Sequence, residues 1–173
     1  MLGLSLPVFT LVHIAISLIG IVAGFGVLYG FLASRDAAPW TKTFLSFTIL
    51  TSVTGYFFPF DHVLPSHIVG GVSLVVLAMA VAALYVFRLA GAWRWIYVAS
   101  AVAALYLNTF VLVVQTFIKN PALKELAPTQ SESPFVITQA LLLIAFVVLG
   151  ALAVRRFHPE PRAIGGPHAS LSA

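Results

Sequence analysis

Few side chains in this chain can bind a ligand, move a proton or hold a metal. His13 and His67 lie inside or at the edge of long apolar runs, Asp61 and His62 separate two such runs, and Asn108, Gln115 and Gln139 interrupt others. Neutral imidazole ligates haem iron, copper and zinc. His13 and His67, brought from two helices to one depth, could hold a b-type haem, with Gln115 and Gln139 as supporting hydrogen-bond partners. Histidine with glutamine and asparagine could also bind a quinone head group. Asp61, His62 and His67 could instead ligate a divalent metal, with Glu125 or Glu132 completing the shell. None of these sets has a diagnostic spacing, and no His-Glu-x-x-His run is present. Each residue also has a structural role available. His13 could bond a backbone carbonyl or Gln139, His67 could start a helix in water, and Asp61 could cap that helix beside a solvated His62. Asn108 and Gln115 could join helices.

The composition sets the surroundings in which these groups must work. Hydrophobic residues make up 61% of the chain and charged residues 8%, against about 25% charged in soluble domains. So apolar a chain cannot cover its surface in water, which makes the lipid bilayer its expected solvent. The net charge of +4 comes from basic residues at the ends of apolar runs, where anionic lipid and the insertion machinery account for them. No basic patch with interleaved aromatics exists, so nucleic acid is excluded as a partner. The chain has no cysteine, which removes disulfides, thiolate metal sites, iron–sulfur clusters and c-type haem attachment.

The elements that must position the polar groups follow from run length. A bilayer core of about 30 Å needs about 20 apolar helical residues. Spans are expected from Val8 to Ala33, Thr43 to Phe60, Ser66 to Phe87, Trp95 to Ile118 and Pro134 to Val154. Their runs are continuously apolar rather than alternating, which excludes a β-barrel. The expected fold is an all-α integral membrane helical bundle of five transmembrane helices. It forms a single domain over residues 1–157, followed by a disordered tail over 158–173 rich in proline and glycine. No cleaved signal peptide is expected, because the first charge is Arg35 and the first run is too long. Arg35, Lys42, Arg88, Arg94, Arg155, Arg156 and Arg162 fall on one side, and Lys119 and Lys124 on the other. The positive-inside rule then places the N-terminus outside and the C-terminus in the cytoplasm.

On this topology His13 and His67 come to similar depth near the outer face. Asn108, Gln115 and Lys119, spaced by seven and four, form one stripe on the fourth span. Small residues supply packing seams: Gly20, Gly24, Gly26 and Gly30 on the first span, and Thr48, Thr51, Ser52 and Gly55 on the second. In the long outer loop Pro121 can start a short helix that ends before Pro128, and Ser133 should cap the last span, with Pro134 at its first position. The loop reads as a connector, with a lid over the polar cluster as the alternative.

The run Leu126-Ala127-Pro128-Thr129-Gln130-Ser131-Glu132, after Val114-Gln115-Thr116-Phe117 and before Gln139, resembles a group of small bacterial, proteobacterial-type, multi-span inner-membrane proteins of unknown function. Trp93-Arg94-Trp95-Ile96-Tyr97 carries the same resemblance, which extends to about Phe157. It implies a multi-pass protein of the bacterial inner membrane and a compact bundle, and it assigns no chemistry. Three function classes follow from the residues. The first is an accessory or assembly subunit, binding a membrane-protein partner or a second copy through small-residue faces. The second binds a redox cofactor or metal at the outer face. The third transports a small solute or protons, and it lacks an acidic residue within a span and an inverted repeat.

Overall fold

The computed structural model describes residues 3, 5–35, 37–59 and 65–158, and every regular element among them is helical. The α-helices are α1 (Leu6–Leu32), α2 (Ala38–Gly55), α3 (Pro65–Val81), α4 (Trp93–Lys119), α5 (Pro121–Leu126) and α6 (Ser133–Arg156). A π-helical turn, Ala82–Val86, extends α3. Four helices are long and apolar enough to cross a membrane: α1, α3 with its π turn, α4 and α6. The expected tail, with Arg162, lies outside the described residues from position 159 onward.

The second expected span corresponds to α2, which falls outside that set because it is rich in hydroxyls. Its 18 residues reach about 27 Å at 1.5 Å per residue. Most of the hydroxyls point inward. Thr41, Thr48, Ser52 and Thr54 are buried, and Ser46 alone of the helix's hydroxyl residues is exposed, beside the exposed Leu50 and Val53. Thr41 meets the Tyr97 hydroxyl of α4 at 3.4 Å, and Ser52 donates to Ser73 of α3 at 3.2 Å. Hydroxyls inside with leucine and valine outside is the reverse of a helix that faces water.

α4 is the most buried of the four long helices, with α1, α2, α3 and α6 packed around it. α1 lies along α2 and also touches α4 and α6, and α3 lies against α2 and α4. Close approach of α1 depends on its glycines. A Cβ on Gly24 would stand 2.9 Å from the Phe44 ring and 2.5 Å from Leu105 Cδ1, so α1, α2 and α4 meet there without one. Gly26 makes room for Trp40 in the same way. The glycine spacing noted on α1 therefore serves neighbours within the chain.

Contacts at the chain's turns show which charges share an end. Arg94 donates to the Phe157 carbonyl at 2.6 Å, and the Ser34 hydroxyl donates to the His158 carbonyl at 3.1 Å. Phe157 itself is buried against the Phe31 ring. Arg35, Lys42, Arg88, Arg94, Arg155 and Arg156 thus lie at one end of the bundle, and Lys119 and Lys124 at the other. The turn after the π segment places Arg88 and Leu89 at φ of 47° and 60°. Phe87 stacks on Trp93 there at 3.6 Å, holding the corner between α3 and α4. At the other end Glu132, not Ser133, is the N-cap of α6, so Ser133 is its first residue and Pro134 its second rather than its first.

Candidate functional site

His13 sits about two turns into α1, facing the C-terminal end of α2. Its Nδ1 lies 2.8 Å from Thr54 Oγ1. The Thr54 hydroxyl donates its single proton to the Leu50 carbonyl at 2.7 Å. With that proton on Leu50, Nδ1 donates in its own contact and Nε2 of the neutral ring keeps its lone pair; with the proton turned to Nδ1, Nε2 carries the ring hydrogen instead. The edge-on ring of Phe58 at 5.1 Å, itself packed on Phe9, fixes the imidazole from a second side.

Beside His13 a cleft of about 90 Å³ opens between α1, α2 and α4. A water needs roughly 10–15 Å³ on that measure, so several small groups fit. Ser17, Thr51, Asn108 and Gln115 supply its polar wall, and the exposed Ile14, Leu18 and Leu112 supply an apolar rim. Ser17 donates to the His13 carbonyl at 2.8 Å, which leaves its oxygen as an acceptor. Thr51 Oγ1, Asn108 Nδ2 and, behind them, Thr48 Oγ1 are buried and have no partner in the protein. The missing side chain of Gly20 gives them space: a Cβ there would lie 3.2 Å from Thr48 Oγ1 and 3.5 Å from Asn108 Nδ2. In a hydrocarbon surrounding each unsatisfied polar group costs several kcal/mol, so these atoms call for a partner, either water or a ligand.

His67 is at the same end of the bundle but on another side of α2. The Tyr56 hydroxyl donates to its carbonyl at 2.7 Å, and the two rings lie 5.5 Å apart. Thr54, which holds His13, and Tyr56, which meets His67, are two residues apart and so about 200° apart around a helix. The end of α2 thus stands between the two imidazoles. Gln115 joins His13 at the cleft. Gln139 is buried between α6 and α4, its Nε2 donating to the Phe110 carbonyl at 3.3 Å and its Oε1 without a protein partner.

Asp61 and His62 lie outside the described residues, so the metal set proposed with His67 is not described. Among the described residues no three His, Asp or Glu side chains gather in a way that could hold a metal. Glu132 turns back on its own loop, accepting from the Thr129 hydroxyl at 2.8 Å and from the Thr129 and Ser131 amides at 3.1 Å. Desolvation alone would raise its carboxyl. The hydrogen bonds from the Thr129 side chain and from the amides of Glu132, Thr129 and Ser131 together outweigh that and hold it below the usual range. α5, capped by the Asn120 side chain, packs on α4.

In the sequence Thr48 and Thr51 read as parts of a packing seam, and Ser17 carries no signal of its own. The signal was present as two facing stripes, His13-x3-Ser17-x2-Gly20 on α1 and Thr48-x2-Thr51-x2-Thr54 on α2. Chemically the cleft offers donors at Asn108 and Thr51 and the His13 ring, behind an apolar mouth, with the unpartnered Thr48 hydroxyl next to Gly20 outside its lining. This set suits a ligand with oxygen atoms at its polar end and an apolar remainder. No family model, no curated protein and no solved structure matches this chain, so the cleft is interpreted from its own geometry.

Proposed function

We propose that the chain is a multi-pass protein of the bacterial inner membrane that binds the head group of a lipid-soluble quinone between α1, α2 and α4. One observation carries this reading: Thr48, Thr51 and Asn108 bury polar atoms without protein partners beside a cleft whose rim is apolar. A quinone carbonyl accepts from Asn108 and Thr51, while a hydroquinone hydroxyl donates to His13 Nε2. The apolar tail leaves past Ile14, Leu18 and Leu112 into lipid. Two observations favour this over the other ligands considered. His13 is the only imidazole lining the cleft among the described residues, which leaves a haem one axial ligand short of a histidine pair, and no carboxylate lines it to draw a cation. In this reading α2 is a fifth span. Its outward Leu50 and Val53 face lipid, and the basic end of the bundle faces the cytoplasm.

The test is to purify the protein in mild detergent, extract it with organic solvent and quantify quinone against a lipid and detergent blank. About one quinone per chain is expected. Asn108→Leu removes one donor and should weaken retention about threefold to tenfold. Quinone content no greater than the blank overturns the reading, and a dithionite-reduced haem band would replace it with a haem site.

An accessory role is the second reading. Of the four long apolar helices α6 buries the least of itself, and its exposed Val136, Ile137, Leu141, Ile144 and Val148 offer a face for another membrane protein. A stoichiometric partner that co-purifies with a quinone-free chain would favour it.

A further inference from the structure

A second cavity lies far from His13. α4 and α6 part toward the basic end to leave an apolar groove of about 510 Å³. Ala99, Ala103, Gly150 and Ala151 keep it open, since larger side chains at those positions would fill it. Gly150 is the tightest point, where a Cβ would come within 3.3 Å of Val102. Tyr106 and Phe146, with rings 5.7 Å apart, lie at its deep end, and Arg155 stands at its mouth.

Length separates the possible occupants. The groove follows α6 from Leu143 to Arg155, which is about 18 Å at 1.5 Å per residue. A membrane-spanning helix needs a seam through the whole core of about 30 Å, whereas one leaflet contributes about 15 Å. The groove therefore fits a chain that enters from one leaflet and stops near the middle. Charge identifies the other end of that chain. Arg155 is exposed, with Arg156 beside it, and both described carboxylates, Glu125 and Glu132, lie at the opposite end of the bundle. Arg94 is already committed to the Phe157 carbonyl, which leaves Arg155 as the cation at the mouth.

We propose that this groove is a lipid site, holding one acyl chain of an anionic phospholipid whose phosphate meets Arg155. A guanidinium donates two parallel hydrogen bonds to phosphate oxygens, which a choline headgroup's own cation would oppose. The site is separate from the cleft at His13 and does not depend on what binds there.

Native mass spectrometry of the full chain, released from nanodiscs of phosphatidylcholine containing phosphatidylglycerol, tests this. The expected result is one retained phosphatidylglycerol per chain. Arg155→Gln, a surface change that leaves the helices intact, should lower the preference for phosphatidylglycerol about fivefold, the factor of one basic residue near an anionic surface. Ala103→Phe fills the groove and should abolish retention of either lipid, with helicity checked by circular dichroism. Equal retention of both lipids by the native chain overturns the proposal, as does retention unchanged by Arg155→Gln. A dimer mass that disappears in Ala103→Phe would also overturn it and make the groove a seam between two copies.

Discussion

At the scale of single residues, the cleft is defined by which protons are already spoken for. The direction of the Thr54 proton, toward Leu50 or toward Nδ1, sets the His13 tautomer, and Ser17 gives its own proton to the His13 carbonyl. Thr48, with no exposed surface, has no such outlet. Its unpaired hydroxyl therefore costs the bundle stability unless a water or a ligand atom reaches it. Thr48→Val should restore about 1–3 kcal/mol of stability to quinone-free protein and so raise its melting temperature. The same change should reduce the additional stabilisation that added quinone provides. Differential scanning fluorimetry with and without quinone measures both. A melting temperature lowered equally in the two states would mean that the hydroxyl has a purely structural partner.

At the scale of elements, the approach of α1 to α2 and α4 decides whether the cleft exists. Gly24 is the closest point, and Phe44 and Leu105 beside it are both fully buried. Gly24→Ala overpacks that contact and should destabilise the bundle by about 1–3 kcal/mol. Denaturation in mixed micelles reads this, and an unchanged midpoint would show that the two side chains can move aside. The loop before α6 depends on Glu132 instead. Its carboxyl is lowered in the folded chain, so the stabilisation it gives the loop is fully present above its ordinary value near 4.5. That stabilisation is lost as pH falls through the lowered value. Exchange protection at the Thr129 and Ser131 amides should therefore hold as pH is lowered to the ordinary value and decline below it, after correction for intrinsic exchange. Protection independent of pH, or lost on raising it, would contradict this sign.

At the scale of the whole molecule, α2 is the element whose membrane role rests on its neighbours. Its run is expected as the second span, yet its hydroxyls leave it less apolar than the four long helices. Placed between α1, α3 and α4, it directs most of its hydroxyls to them and presents Leu50 and Val53 outward. The chain contains no cysteine, so single cysteines report topology without background. Lys124→Cys should react with an impermeant maleimide added outside intact cells, and Arg88→Cys should react only after lysis. Labelling of both from one side would remove the proposed orientation.

Read alone, the chain determined that it is helical, with helices apolar enough to cross a membrane, and that Lys119 and Lys124 stand apart from the other described lysines and arginines. Hydropathy runs, prolines at helix starts and the signs of loop charges are local properties that survive without knowledge of neighbours. The nearness of His13 and Gln115 was partly legible, since the stripe of Asn108 and Gln115 follows from helical spacing. Only the tertiary structure decided that His13 and His67 lie on different sides of α2, that Gln139 belongs to the contact with α4, and that Thr48 and Thr51 are left without partners. The reason is physical. The order of helices in a bundle and the rotation of each about its axis are set by non-local contacts, such as Gly24 against Phe44 and Leu105. Polar residues at equal depth can then share a cavity or be separated by a helix.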